Sequence, residues 1–217
     1  MAKARQVAGG GRAVEVPPDR LAGWFARFSE RHGGVVTTEA TPGAVRVAAG
    51  DGTTATATVP FGLLDVPSVE GLIEHALVPR RIALLLVRLG GHSVGVAHDG
   101  RIEVSRTDRH LVHGRSAAGG WSQQRFARRR AGQARHALQA AARDAADVLV
   151  PRLSEVDAVV LGGDRRALDE LREDRRLAPL FARAEPRVLE LGEPSRALLE
   201  EAAARARSVE ITLRDPS

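Results

Sequence analysis

The sequence predicts an α+β fold in which a mixed sheet flanked by helices follows a smaller α+β module. After Pro79, strand-like segments joined by an Asp-Gly turn come first, and strands that alternate with helices follow. A smaller set of helices and strands lies before Pro79. A chain of 217 residues is long enough for one large or two small domains. We expect a flexible tail over 1–16, the small module over 17–78 and the larger domain over 79–217.

The composition excludes several classes of protein. The chain is 43% hydrophobic and 27% charged, as expected for a globular protein rather than a disordered or fibrous one. It has no cysteine, which rules out disulfides, thiol catalysis and thiolate metal sites. No apolar stretch is long enough to span a membrane, and the first residues lack the apolar segment of a signal peptide. A cytoplasmic protein without a membrane partner is therefore expected.

The small module is predicted to begin with a helix. Four large apolar residues at spacings of three and four after Pro17-Pro18-Asp19 share one face, which we interpret as core: Leu21, Trp24, Phe25 and Phe28. Gly33-Gly34 ends this helix, and a second helix is predicted over 67–78. Between the helices we predict three strands, the last two joined by a turn at Asp51-Gly52: Val35–Thr41, Ala44–Ala49 and Thr54–Phe61.

The larger domain is predicted to begin with strands and to continue with alternating helices and strands. Its first strands are Arg81–Arg88, His92–Ala97, Arg101–Ser105 and a short one over Arg109–His113. A loop over Gly114–Gly120 leads into a long helix from Ser122 to Leu149, which Pro151 terminates. The later elements are strand Asp157–Leu161, helix Asp164–Arg175, strand Arg187–Leu191, helix Ser195–Arg207 and strand Val209–Leu213.

Positive charge is concentrated in one segment. Residues 101–143 hold ten basic and two acidic residues, although the whole chain has a net charge of only +5. On the long helix, at about 100° per residue, polar and basic side chains occupy one sector: Arg125, Arg128, Arg129, Arg135, His136, Gln139 and Arg143. Alanine, leucine and valine dominate the opposite side. Such a stripe suits a nucleic-acid backbone, and a solvated face in an arginine-rich chain is the alternative.

A small-residue loop precedes this helix. Gly119 and Gly120 allow backbone conformations and close approaches that a Cβ would block. Ser122 is a candidate N-cap, and the positive end of the helix dipole favours a phosphate or a developing oxyanion. Gln123 and Gln124 follow directly, so the loop can present backbone amides and a side-chain amide to a ligand.

These residues carry a family resemblance. His113-Gly114-Arg115, Gly119-Gly120 and Arg125-Phe126-Ala127-Arg128 resemble the middle domain of archaeal and eukaryotic peptide-chain release factors. The chain is more similar to the actinobacterial Vms-like release factors, which are peptidyl-tRNA hydrolases. The resemblance covers about residues 79–217 and implies a release-factor middle domain with an RNase H-like sheet.

The resemblance implies hydrolysis of the ester that joins a nascent peptide to tRNA at the large ribosomal subunit, without a metal or another cofactor. In the Gly-x-x-Gln pattern of the Vms-like branch, Gly120 is followed by Gln123 as the catalytic glutamine, and Gln124 is the alternative. Gly119 and Gly120 belong to the same catalytic loop. The release-factor glutamine position itself holds Trp121, and Ser116-Ala117-Ala118 lengthen the loop. The implied RNA-binding residues are Arg115, Trp121, Arg125, Arg128, Arg129 and Arg135.

A second class of function is compatible with the same residues, namely a non-catalytic ribosome- or RNA-binding factor on the same fold. A nuclease would need clustered carboxylates that the sequence does not supply. Asp144 and Asp147 have no nearby histidine to complete a metal site. Gly162-Gly163-Asp164 lacks a nucleotide-binding fingerprint and predicts a strand-to-helix turn. No stop-codon-reading module is recognisable before residue 79, and a monomer is expected.

Overall fold

The structure is a computed structural model that describes residues 5–7, 10–88, 90–109 and 121–216; for 109 and 121–131 it describes the backbone. The chain divides into two compact units. One is made of the residues up to Pro79 together with those from Arg207 onward, and the other runs from Arg80 to Ala206. Each unit is built on its own sheet. The α+β class and the mixed sheet flanked by helices are confirmed.

The first unit contains a six-stranded antiparallel sheet. Its strands are β1 (Arg5–Gln6), β2 (Arg12–Val16), β3 (Val35–Thr41), β4 (Ala44–Ala49), β5 (Thr54–Thr58) and β11 (Val209–Arg214). They lie side by side in the order β1-β2-β11-β5-β4-β3. The bounds of β3 and β4 match the predicted ones because the glycines that end the preceding helix and form the turn after β4 are local signals.

Two helices cover one face of this sheet. Helix α1 (Leu21–Arg31) buries Leu21, Phe25 and Phe28, and helix α2 (Val69–Leu77) buries Leu72 and Ala76. These helices pack on every second residue of the central strands, which is buried. Examples are Val45 and Val47 on β4, and Ala55 and Ala57 on β5. The predicted apolar face of the first helix is therefore core, with Trp24 partly buried against it.

The two units differ from the predicted division at 1–16, 17–78 and 79–217. Strand β11 lies in the middle of the first sheet, with β2 on one side and β5 on the other. Residues 12–16, predicted as part of a loose tail, pair with β11 along their whole length. The physical reason is hydrogen bonding: a buried central strand needs partners for its backbone groups on both sides, and these partners come from distant sequence.

The second unit contains a five-stranded mixed sheet. Its strands are β6 (Arg81–Arg88), β7 (Gly91–His98), β8 (Arg101–Arg109), β9 (Ala158–Gly163) and β10 (Ala184–Leu189), in the order β10-β9-β6-β7-β8. Strands β6, β9 and β10 are parallel, while β7 and β8 continue from β6 as antiparallel hairpins. Strand β8 extends the predicted Arg101–Ser105, and residues 110–113 of the predicted next strand lie outside the described residues.

Among the described residues, four helices flank this sheet: α3 (Trp121–Val148), α4 (Arg165–Arg172), α5 (Ala178–Ala182) and α6 (Arg196–Ala206). Helices α3 and α4 bury apolar side chains against Leu85, Val87 and Val94. The other face carries α6, whose Leu199 fills the space above Gly95. The single helix predicted over Asp164–Arg175 ends at Arg172 because Asp174 adopts an extended conformation and accepts a hydrogen bond from the Arg176 amide.

Candidate functional site

Helix α3 is the longest element of the site predicted from the sequence. It spans 28 residues, which corresponds to a length of about 42 Å. Among its residues with described side chains, those from 132 to 136 are partly or fully exposed, and burial begins at Ala137. Gln123 precedes Ala137 by 14 positions, so that it lies about 21 Å along the helix axis from the start of this core contact.

The structure locates the predicted site residues only in part. Six of them fall in the first turns of α3, where the backbone is described: Trp121, Gln123, Gln124, Arg125, Arg128 and Arg129. Gly119, Gly120 and Arg115 lie outside the described residues. The helix begins at Trp121, one residue before the predicted start, so Ser122 lies within its first turn. Both candidate glutamines are therefore in the N-terminal turn of the helix.

The C-terminal half of α3 has the two predicted faces. Arg135, His136, Gln139 and Arg143 are exposed. The helix buries its apolar side chains against the sheet: Ala137, Ala140, Ala141, Ala142, Ala145 and Val148. Because basic and polar groups retain their hydration on the outer face while alanines allow the helix to approach the sheet closely, this half of the helix presents positive charge to solvent.

An ionic network fixes α3 to the sheet near its C-terminal end. The Nε2 atom of His92, on β7, lies 2.8 Å from the Asp144 carboxylate, and Nη1 of Arg106, on β8, lies 2.8 Å from the same group. Arg106 also lies 3.5 Å from Asp147. The expectation that no histidine lies near Asp144 was therefore wrong. The three partners come from separate elements, so no spacing in the sequence could have indicated the contact.

The network has a clear electrostatic consequence. Burial of Asp144 would by itself raise the pKa of its carboxyl group, but hydrogen bonds from Arg106 and His92 outweigh burial and lower that pKa. The hydrogen bond between Asp144 and Arg106 is in turn the chief cause that raises the pKa of the Arg106 guanidinium. Because β8 ends at Arg109 and α3 begins at Trp121, the network joins the two elements that flank the glycine-containing segment.

Two other sequence motifs have structural roles. Gly163 ends β9 with φ +101°, and the Asp164 carboxylate then accepts hydrogen bonds from the amides of Arg166 and Ala167 at the start of α4. This is the predicted strand-to-helix turn with an N-cap. Within the described part of the chain, no group of three or more His, Asp or Glu side chains is placed to hold a metal ion.

None of the described helices combines the length and the apolar character that a membrane-spanning helix requires.

Comparison with known proteins finds a matching family for most of the chain after Pro79. The family model described as the Actinobacteria and chloroflexi VLRF1 release factor matches residues 80–212, which is more than half of the chain. This range includes the mixed sheet, helix α3 and the ionic network. A search of curated proteins found no match.

Solved structures of translation factors are similar to this chain in part. An archaeal translation termination factor, aRF1, is 15% identical, with a TM-score of 0.44 over 74% of this chain and 51% of that one. Dom34 from S. cerevisiae, a translation termination-like factor, is 8% identical, with a TM-score of 0.34 over 92% and 65% of the two chains.

Pelota from Archaeoglobus fulgidus is 13% identical, with a TM-score of 0.29 over 94% of this chain and 64% of that one. The present chain therefore spans about half the length of aRF1 and somewhat less than two thirds of Dom34 and Pelota. By the match over 80–212, the chain belongs to the actinobacterial and chloroflexi VLRF1 family of release factors.

Proposed function

We propose that this protein is a peptidyl-tRNA hydrolase that releases the nascent peptide from stalled or split ribosomal complexes at the large subunit. Membership of a release-factor family supports a role in translation. The observation that carries the proposal is the position of the glutamines. They lie in the first turn of a 28-residue helix, about 21 Å along its axis from Ala137, the first buried residue among those whose side chains the structure describes. A glutamine so placed suits a substrate that is held by another macromolecule.

Gln123, with Gln124 as the alternative, acts by position. Its side-chain amide both donates and accepts hydrogen bonds, so it can orient a water molecule towards the ester carbonyl carbon at near-attack distance. The water oxygen forms a bond to that carbon and gives up one proton, the bond from the carbon to the tRNA ribose oxygen breaks, and the ribose oxygen takes up one proton. A backbone N–H in the segment from Gly119 and Gly120 to Gln123 stabilises the tetrahedral oxyanion, assisted by the positive end of the α3 dipole.

Arginines place the helix on RNA. We assign phosphate contacts to Arg115, Arg125, Arg128, Arg129 and Arg135, of which Arg135 is the one with a described, exposed side chain. Contacts of this kind position a protein without reading sequence. Trp121 is proposed to stack on a base, as aromatic side chains do in the recognition of single-stranded RNA.

The test uses purified ribosomal large subunits that carry peptidyl-tRNA with a labelled peptide. We expect the wild-type protein to release the peptide, and Gln123→Ala, or Gln124→Ala if that residue is catalytic, to slow release by about 100-fold. Gln133→Ala, on the same helix, is the matched control and should release at the wild-type rate. Co-sedimentation with the subunits separates lost catalysis from lost binding.

Two results would contradict the proposal. Release at the wild-type rate in the double variant would remove the glutamine mechanism. Binding without any release by the wild-type protein would favour a non-catalytic ribosome-binding factor. Complexes with stop and sense codons in the A site test codon dependence, and we expect equal release from both because no stop-codon-reading module is recognisable in the sequence.

A further inference from the structure

Helix α1, in the first unit, carries a stripe of basic and aromatic side chains that the proposed function does not use. Arg20, Trp24, Arg27 and Arg31 follow one another at spacings of four, three and four. At 100° per residue these positions fall within about 60° of one another around the helix. The three arginines are exposed and Trp24 is partly exposed. We call these four residues the α1 stripe.

The charges of the α1 stripe are not neutralised within the described part of the chain. Arg20, Arg27 and Arg31 form no ion pair there, whereas Arg5, Arg81 and Arg106 each lie within 3.0 Å of a carboxylate oxygen. The acidic neighbours Asp19 and Glu30 lie about 80–100° around the helix from Arg20. Asp51, near the end of the helix, is already paired with His32 at 2.8 Å.

Helix stability does not explain the arginine at the start of the stripe. Arg20 occupies the N-cap position of α1 and its side chain caps no backbone amide. Arg20 is the last residue of a short 3-10 helix, Pro18–Arg20, as well as the N-cap of α1, so the dipoles of the two helices act on its charge in opposite directions. Arg31, in the last turn of α1, is favourably placed. Capping therefore gives no reason for an arginine at this position, and its guanidinium group is available to bind an anion.

Trp24 lies among the arginines in the α1 stripe and packs against two phenylalanine rings. Its ring stacks on Phe28 at a centroid distance of 5.5 Å and an interplanar angle of 11°, and it meets the Phe25 ring edge-on at 5.2 Å. Gly23 leaves room beside it for the Arg27 guanidinium, whose Nη1 would lie 3.1 Å from a Cβ at that position. A partly exposed indole beside unpaired guanidinium groups suits a nucleic-acid strand, in which phosphates and bases alternate.

We propose that the α1 stripe binds single-stranded RNA, with the three guanidinium groups on consecutive phosphates and Trp24 against a base. This gives the first unit a binding role of its own. It does not depend on peptide release, because binding can be measured on RNA without a ribosome or an ester.

The experiment compares two variants of the whole chain that lose the same charge. One is Arg20→Gln/Arg27→Gln/Arg31→Gln. The control is Arg165→Gln/Arg166→Gln/Arg175→Gln, whose arginines are equally exposed in the second unit. The probe is a fluorescein-labelled 12-nucleotide oligouridylate, followed by anisotropy between 50 and 300 mM salt.

We expect the α1 variant to bind the probe at least tenfold more weakly at 100 mM salt. The slope of log affinity against log salt should fall by about 2, since each single-strand phosphate contact contributes about 0.7. The control should change affinity less than threefold. An equal loss of affinity in both variants would overturn the proposal, because it would show only an effect of net charge. Unchanged affinity in the α1 variant would overturn it as well.

Two further measurements sharpen the result. In a Trp121→Phe protein, fluorescence arises from Trp24 alone, and saturating oligouridylate should quench it; an unchanged spectrum overturns the stacking part. Vesicles of anionic phospholipid test the rival ligand: a loss of vesicle binding in the α1 variant with RNA binding retained would assign the stripe to a membrane surface and overturn the proposal. Thermal unfolding at the wild-type midpoint verifies that the variants are folded.

Discussion

The imidazole of His92 and the carboxylate of Asp144 form a 2.8 Å hydrogen bond between strand β7 and helix α3, at a point where the histidine is fully buried. The carboxylate accepts, so the hydrogen-bond pattern assigns a proton to Nε2 of the ring. Nδ1 is buried without a partner. The bond attaches the sheet-facing side of α3 to strand β7, and it leads to the first prediction.

Replacement of His92 should weaken the attachment of α3. His92→Ala removes the donor to Asp144 and leaves a cavity beneath the helix, so we expect the free energy of unfolding to fall by about 2–4 kcal/mol. Urea unfolding measures this change. His98→Ala, on the same strand but exposed, is the control and should change stability by less than about 0.5 kcal/mol. Equal effects of the two changes would refute the structural role of the bond.

Stability should depend on pH through Asp144. Its pKa in the folded protein lies below the ordinary value of 3.8, as the hydrogen bonds from Arg106 and His92 outweigh burial. Such a carboxylate stabilises the fold at pH values above 3.8, and this contribution is lost as the pH falls through the lowered pKa. Asp144→Asn should therefore be less stable than wild type at neutral pH and lose less stability between about pH 4 and pH 2.

The control for this pH experiment is Asp215→Asn, an exposed aspartate that should keep the wild-type dependence. Other carboxyl groups with lowered pKa, those of Asp51, Glu103 and Asp174, contribute in wild type and variant alike. An Asp144→Asn protein with the full wild-type loss of stability in acid would contradict the assignment.

Gly163 should not tolerate a side chain. Its φ of +101° is strained for any other residue, and a Cβ there would collide with the backbone carbonyl of Val87 on the neighbouring strand. We expect Gly163→Ala to destabilise the protein by more than about 2 kcal/mol in urea unfolding. Gly192→Ala, where a Cβ meets nothing within 4 Å, should leave the midpoint close to that of wild type. A Gly163→Ala protein whose free energy of unfolding falls by much less than this would mean that the turn can relax to accommodate the side chain.

Gly132, by contrast, should accept alanine with a gain. It lies inside helix α3, and a Cβ there meets nothing within 4 Å. Because glycine in a helix interior costs about 0.5–1 kcal/mol relative to alanine, Gly132→Ala should raise the free energy of unfolding by that amount. Gly71→Ala in α2 is the opposite case, since its Cβ would collide with the carbonyl oxygen of Val66. A loss of stability in Gly132→Ala would contradict this prediction, because it would mean that the added Cβ collides with a neighbouring atom.

The C-terminal strand should be essential to the first unit. Ile211 is fully buried in β11 between β2 and β5. We expect Ile211→Ala to lower the free energy of unfolding by about 2–4 kcal/mol. The neighbouring Thr212 points to the opposite face of the sheet and is half-buried, so Thr212→Ala should cost much less. Similar values for both would argue against β11 as a central core strand.

Local patterns in the sequence were sufficient for most elements. The turn glycines at Gly33-Gly34 and Asp51-Gly52, the continuous apolar run in Arg81–Arg88 and the two-faced pattern of the long helix all predicted elements that the structure confirms. Each of these signals depends on residues a few positions apart, because strand and helix periods are short. The site motif likewise occupies one continuous stretch, so its resemblance to release factors is a property of the sequence alone.

Tertiary contacts decided the rest. That Val209–Arg214 completes the first sheet rather than the second, and that Arg12–Val16 pairs with it, depends on hydrogen bonds between segments almost 200 residues apart. That Asp144 meets a histidine depends on how α3 lies across β7 and β8. Side chains on separate elements carry no common period, so only the packing of the folded chain could bring these partners together.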